Sequence, residues 1–162
     1  LPAVLNAAND DLARIVFTSS YGHFNSALNF DDLGLTQGYS TLKAYGRSKL
    51  MNLLTARELQ HRLRGKNVVA SSFHPGTVRT AIWNKGGMLA RLLGLALYPF
   101  MKSIGQGSDT FVWLASSEDQ ASKGADGHYF YEGKRAETAK FATDEDAKRL
   151  WQISEELIAP YC

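Results

Sequence analysis

The apolar positions of the chain fall into short unbroken runs and longer stripes of helical period, and their order predicts an α/β fold. Arg14-Ile15-Val16-Phe17-Thr18 is a run rich in branched residues, closed by Ser19-Ser20, and reads as a buried parallel strand. Residues 31 to 39 carry Gly34 and Gly38 without periodicity and read as a loop. A helix follows from near Ser40 to about Arg64, with Gly65 as its natural C-terminal stop. Asn67 to Phe73 is a second buried run, ended by His74-Pro75-Gly76. Strand, long helix and strand make a βαβ unit, which brings both strand ends to one edge of the sheet.

Further along, Gly86 to Ser103 reads as one or two short apolar helices and Gly105 to Ser117 as an amphipathic helix. Gly127 to Tyr131 is a third strand, closed by Glu132-Gly133. Thr143-Asp144-Glu145-Asp146 resembles a capping box, and Ala147, Leu150, Trp151, Leu157 and Ile158 give the helix behind it an apolar stripe. Projected at about 100° per residue, the long helix places Leu42, Tyr45, Lys49, Leu53, Ala56, Leu59 and Leu63 on one inward stripe. Leu50, Met51 and Leu54 fall outside it as a second apolar patch. That patch needs its own cover, either a helix from outside this chain or the same helix of a second subunit in a homodimer.

Composition narrows the class without naming a function. The 162 residues are 44% hydrophobic and 21% charged, which fits one soluble domain with a full core. Eighteen Lys and Arg against sixteen Asp and Glu leave a formal charge of +2, too small and scattered to point to a nucleic-acid partner. Cys162 is the single cysteine, so no intrachain disulfide exists and a reducing, cytoplasmic compartment fits. Residues 88 to 101, the most apolar stretch, fall short of the roughly 20 residues that span a bilayer, so no transmembrane span is expected. His23, His61, His74 and His128 show no paired metal-ligand spacing, and no metal is expected.

Tyr45 and Lys49 stand four apart on the inward stripe, so their side chains lie one above the other. An ammonium beside a phenol in a poorly solvated cleft favours the phenolate and makes a usable acid/base. Taken alone, Tyr-x-x-x-Lys also describes an ordinary helix with a snorkelling lysine. Topology gives the pair meaning, because Ser20 ends the strand before this helix and His74-Pro75-Gly76 ends the strand after it. Ligands of open α/β sheets bind outside the carboxyl ends of the strands, where these three segments converge. Ser19 serves as well as Ser20 if the hydroxyl merely satisfies a backbone amide.

The runs Ile15 to Ser20, Tyr45-Gly46-Arg47-Ser48-Lys49-Leu50 and His74-Pro75-Gly76-Thr77-Val78-Arg79-Thr80, in this order and spacing, resemble the short-chain dehydrogenase/reductase family. The Ser-Lys-Leu after the tyrosine, Lys134-Arg135 after the third strand and Arg149-Leu150-Trp151 look most like its retinol dehydrogenase-like branch. The resemblance covers nearly the whole chain. It implies a Rossmann-type, doubly wound parallel sheet. It implies that Tyr45 gives or takes the proton, that Ser20 hydrogen-bonds the substrate oxygen, and that Lys49 binds the nicotinamide ribose. It also implies that Pro75, Gly76 and Val78 lie along the nicotinamide, that Thr80 contacts its carboxamide or the phosphates, and that NADP(H) is used more readily than NAD(H). The reaction so implied is hydride transfer to or from a hydrophobic alcohol, ketone or aldehyde.

One departure matters. The family's Gly-rich strand-to-helix turn, which seats the pyrophosphate, is not found in these residues, and Gly105-x-Gly107 lacks both a third glycine and a preceding strand. With a first residue inside an apolar run, this leads us to expect the C-terminal part of one Rossmann-type oxidoreductase domain. The alternative is a non-catalytic binding or scaffold module without a cofactor cradle. Trp83 and the apolar segment 88 to 101 directly follow Thr80 and read as a lid over a hydrophobic substrate.

Overall fold

Two apolar runs thirteen to eighteen and sixty-eight to seventy-four residues along the chain form adjacent strands, β1 (Ala13–Thr18) and β2 (Val68–His74). They pair in parallel, with Ala13 opposite Val68 and Thr18 opposite Phe73. The computed structural model describes residues 1–79 and 98–161. β3 (Tyr129–Tyr131) adds in parallel on the far side of β2, with Ser72 opposite Tyr129. β4 (Lys134–Arg135) returns antiparallel to β3, giving the order β1-β2-β3-β4. The β3–β4 turn is Glu132-Gly133, with φ of 52° and 69°, and two consecutive positive φ values match the right-handed twist of a hairpin. The sequence reading placed a strand end there but did not see β4, which is too short to carry a period.

Side chains of β2 alternate between two cores, as a pleated strand requires. Val68 and Ala70 pack under Leu59 and Leu63 of the long helix α2 (Thr41–Arg62), with Ile15 and Phe17 beside them. Val69 and Phe73 face the other way, onto Leu114 of α3 (Ile104–Ser116). A short helix α1 (Pro2–Ala7) packs Val4 and Leu5 against the α2 side. The sheet is therefore covered on both faces, as a doubly wound α/β arrangement demands. β1 forms one border of the sheet, and its outer edge has no strand partner among the described residues.

Ends of elements are fixed by identifiable groups. Ser103 and Gln106 form a reciprocal capping box at the start of α3, which the sequence reading missed by starting the helix at Gly105. At the other end of α3, the Arg14 guanidinium donates to the Leu114 and Ser117 carbonyls at 2.8 and 2.6 Å, placing a cation on the negative end of the helix. After the short α4 (Gln120–Lys123), the Thr143 hydroxyl caps α5 (Asp144–Ile158) by accepting the Asp146 N–H at 3.1 Å.

Three expectations about faces are corrected. Leu42 does not join the inward stripe of α2: it is 71% exposed and borders an open cleft. Leu157 and Ile158 are exposed beyond the part of α5 that reaches the core. Leu50 and Leu54 are fully buried within this chain, packed with Tyr129, Ala147 and Leu150, and Met51 packs against the same cluster. The second apolar face of α2 thus meets α5 of its own chain, so it is not a homodimer surface. No helix among the described residues is long and apolar enough to cross a membrane. The apolar stretch expected to form a lid lies mostly outside the described residues, as do Trp83 and Thr80.

Candidate active site

β1 and β2 end side by side, and a cleft of about 840 Å³ opens at their carboxyl ends. Its walls include Ser20 and Tyr21 after β1, Thr41, Leu42 and Tyr45 on α2, His74 at the end of β2 and Pro75 to Val78 after it; Ile104, Gly107, Ser108 and Phe111 of α3 close the far side. Five of the residues singled out from the sequence, Ser20, Tyr45, Pro75, Gly76 and Val78, are brought together here. Lys49 sits one helical turn behind Tyr45, with its ammonium 5.7 Å from the centre of the tyrosine ring, and is not part of the cleft wall.

The two serines divide their work. Ser19 is buried and donates to the Lys49 carbonyl at 2.7 Å, stitching the end of β1 to α2. Ser20 lies two residues beyond the end of β1 and caps the 3-10 turn Tyr21–Asn25, its Oγ accepting the Gly22 N–H at 3.1 Å. With one lone pair so occupied, the Ser20 hydroxyl still has its proton available for donation. The carbonyl of Thr18, the last residue of β1, gathers the Lys49 ammonium at 3.4 Å and the Asn52 amide at 2.9 Å. Asn52 was not singled out from the sequence, although its place three residues beyond Lys49 on the same helix face could have marked it.

Tyr45 is held from the side by a glycine. A Cβ on Gly22 would come within 2.8 Å of Tyr45 Cε1, and one on Gly46 within 2.8 Å of the Gly22 carbonyl oxygen. The 3-10 turn therefore lies flat on α2, and the tyrosine ring rests on the turn's backbone. These two glycines were overlooked, since a glycine inside a helical pattern signals a close approach only once the opposing backbone is known.

The imidazole of His23, fully buried behind the site, lies with Nδ1 2.6 Å from the Ser20 carbonyl oxygen, and its Nε2 accepts the Ala139 N–H at 3.2 Å. Burial lowers its pKa, so it stays neutral. His74 is neutral too: burial, then the Lys102 ammonium and His23, hold it at about 4. Its Nδ1 accepts the Gly76 N–H at 3.3 Å, and its ring stacks on Tyr131 at 5.1 Å. Gly76 itself has φ of 85°, a conformation that favours glycine, and the stem of Lys102 lies against it. Lys102 also ties the loop by backbone, donating its N–H to Thr77 at 2.8 Å and accepting from Arg79 at 3.0 Å, while its ammonium pairs with Glu132 at 2.8 Å.

These groups can do three things: donate a hydrogen bond from Ser20, exchange a proton at the Tyr45 hydroxyl, and line the cleft with the loop Pro75-Gly76-Thr77-Val78. The apolar lining from Leu42, Phe73, Ile104 and Phe111 suits a hydrophobic molecule.

No family model matches the chain. Over 150 residues, 90% of its length, it is 39% identical to human retinol dehydrogenase 14, of which it covers 44%. Over 147 residues it is 40% identical to mouse retinol dehydrogenase 12, covering 46% of that protein and using 90% of this chain. It is 34% identical over 151 residues to the chloroplastic short-chain dehydrogenase TIC 32 B of Brassica napus, with 90% and 47% covered. The chain thus spans about half the length of the curated relatives it matches. Among solved structures, an uncharacterized protein from Mycobacterium paratuberculosis superposes with a TM-score of 0.64 at 26% identity, over 89% of this chain and 49% of the other.

Proposed function

We infer the activity of this chain from its kinship, because it is related over nine-tenths of its length to retinol dehydrogenase-like short-chain dehydrogenases/reductases. We read it as the part of an oxidoreductase that carries the proton-transfer chemistry, acting on a hydrophobic alcohol, ketone or aldehyde. The observation that carries this reading is the meeting of Ser20, Tyr45 and the loop after β2 in one cleft at the carboxyl ends of parallel strands.

The residues present fit one end of a nicotinamide dinucleotide. Pro75, Gly76 and Val78 line the cleft where the flat ring would lie, and the stem of Lys102 packs against Gly76 and backs the loop. Tyr45 on the cleft wall and Lys49 one helical turn behind it would hold the adjoining ribose. A Gly-rich strand-to-helix turn for the pyrophosphate is not found in the sequence of these 162 residues, so this chain supplies the C-terminal part of a Rossmann-type domain. NADP(H), rather than NAD(H), rests on the resemblance alone, as does any contact from Thr80. When bound, the cofactor supplies the hydride.

The chain's own residues handle the oxygen and its proton. The Ser20 hydroxyl donates to the substrate oxygen and fixes the carbonyl or carbinol carbon. Tyr45 donates its hydroxyl proton to that oxygen in reduction, or accepts one in oxidation. The Lys49 ammonium, 5.7 Å from the ring, stabilises the negative charge that develops on the phenol. Leu42, Phe73 and Phe111 exclude water from the hydrophobic part of the substrate.

The test uses the intact natural protein with retinol and either NADP⁺ or NAD⁺. Tyr45→Phe removes the transferable proton and is expected to lower turnover by about 10² to 10⁴. Undiminished turnover in Tyr45→Phe would end the assignment. The rival reading, a binding module without catalysis, predicts that the wild-type protein neither binds nor reduces NADP⁺.

A further inference from the structure

We propose that His23 is a positioning residue for Ser20, acting through its Nδ1–H on the serine's carbonyl. The proposal rests on the oxidoreductase reading of the cleft, since it is the Ser20 hydroxyl whose placement matters. The ring's tautomer follows from its partners. A backbone amide can only donate and a carbonyl can only accept, so the 3.2 Å contact with Ala139 N makes Nε2 the acceptor. The 2.6 Å contact with Ser20 O then makes Nδ1 the donor. The ring packs against Phe24, with centroids 4.1 Å apart, and meets Tyr129 in a T-shaped contact at 4.8 Å.

A buried histidine is often plain core filling, and the hydrogen-bond bookkeeping decides against that here. Ser20 O already accepts the His23 backbone N–H at 3.1 Å, so the carbonyl needs no second donor to be satisfied. The imidazole bond instead locks the peptide plane that follows Ser20, a residue that lines the cleft. Ala139 is different, because Nε2 is the acceptor its buried N–H uses. The two ring nitrogens therefore have separable roles. Nε2 ties the segment before α5 to the site and contributes stability; Nδ1–H orients the serine.

Asparagine and glutamine separate these roles. His23→Asn can place an amide donor where Nδ1 stands, and His23→Gln can place a carbonyl acceptor where Nε2 stands. In the intact protein, with retinol and NADP⁺, His23→Gln is expected to keep its unfolding midpoint but lose roughly 10- to 100-fold in kcat, the scale of a misplaced catalytic group. KM for NADP⁺ should not move. His23→Asn should restore kcat to within a few-fold of wild type while unfolding earlier. Nuclear magnetic resonance gives a readout that needs no turnover: His23 should show a protonated Nδ1 and an unprotonated Nε2. The Gly22 amide, bonded to Ser20 Oγ, should exchange faster in His23→Gln than in His23→Asn. Equal kcat in the two variants of an active enzyme would overturn the proposal. So would the opposite tautomer or unchanged Gly22 exchange. A wild-type protein inactive with both cofactors would overturn the oxidoreductase reading, and the tautomer and exchange data would then judge the His23–Ser20 link alone.

Discussion

Gly22 lies against the ring of Tyr45 so closely that a methyl group in its place would stand 2.8 Å from Cε1 and 3.0 Å from Cδ1. No Cβ tolerates such an approach, so one partner must move. The ring belongs to a side chain that is 41% exposed and can swing into the open cleft, whereas the Gly22 backbone is held by the Ser20 hydroxyl. Gly22→Ala should therefore displace the tyrosine at small cost to the fold.

The same interface read from the other side gives the opposite result. A Cβ on Gly46 would meet the Gly22 carbonyl oxygen, a backbone atom, at 2.8 Å. Alanine gains up to about 1 kcal/mol of helix propensity over glycine, but overpacking of a tight contact costs about 1 to 3 kcal/mol. The contact wins because backbone on both sides cannot step aside. Gly46→Ala should be the destabilised protein and Gly22→Ala the catalytically impaired one. Chemical denaturation and steady-state kinetics on the pair check this, and the reverse ranking would mean that the 3-10 turn does not seat the tyrosine.

How much of this was legible in the sequence follows from the range of the interactions. Strands β1 to β3, the limits of α2 and the meeting of Ser20, Tyr45 and Pro75 to Val78 were readable, because each depends on local pattern plus one topological rule. Contacts between distant segments were not. Nothing near Leu54 announces that Leu150 will cover it, and nothing near Gly22 announces Tyr45. His23 was passed over for lack of metal spacing, although its hydrogen-bonding nitrogens reach Ser20 and a residue more than a hundred positions away. Lys102 was read only as part of an apolar segment, and its hold on the loop needs the β3–β4 hairpin to bring Glu132 near.

The burial of Leu54 yields a prediction of its own. Its side chain is fully enclosed by its own chain, among Leu50, Leu53, Tyr129 and Leu150. Leu54→Ala should lower stability by about 2 to 5 kcal/mol, the range for a leucine cavity in a packed core. Leu54→Glu should fail to fold, because a carboxylate there has no partner to offset its desolvation. Equilibrium urea unfolding, with mass in solution measured alongside, separates core from interface. A stable Leu54→Glu protein of altered mass would show that this face meets another molecule after all.

His74 makes stability depend on acidity. Its folded-state pKa of about 4 lies below the ordinary 6.5, first through burial and then through the Lys102 ammonium and His23. Between these two values the unfolded chain binds a proton that the folded chain refuses, so stability must rise with pH across that window and fall as acid is added. The contribution is complete above about pH 6.5 and lost by about pH 4. Protonation would also turn Nδ1 from acceptor to donor against the Gly76 N–H, so acid should loosen the loop before the core gives way. His23 and His128 are lowered in the same direction, chiefly by burial, and add to the same limb. His74→Asn keeps an acceptor at the δ position but cannot titrate. It should therefore flatten part of the slope of unfolding free energy between pH 4 and 6.5 and leave the neutral-pH value nearly unchanged. Parallel denaturation curves for the two proteins across that window would mean that His74 already carries its proton in the fold, and the hydrogen bond from Gly76 would have to be abandoned.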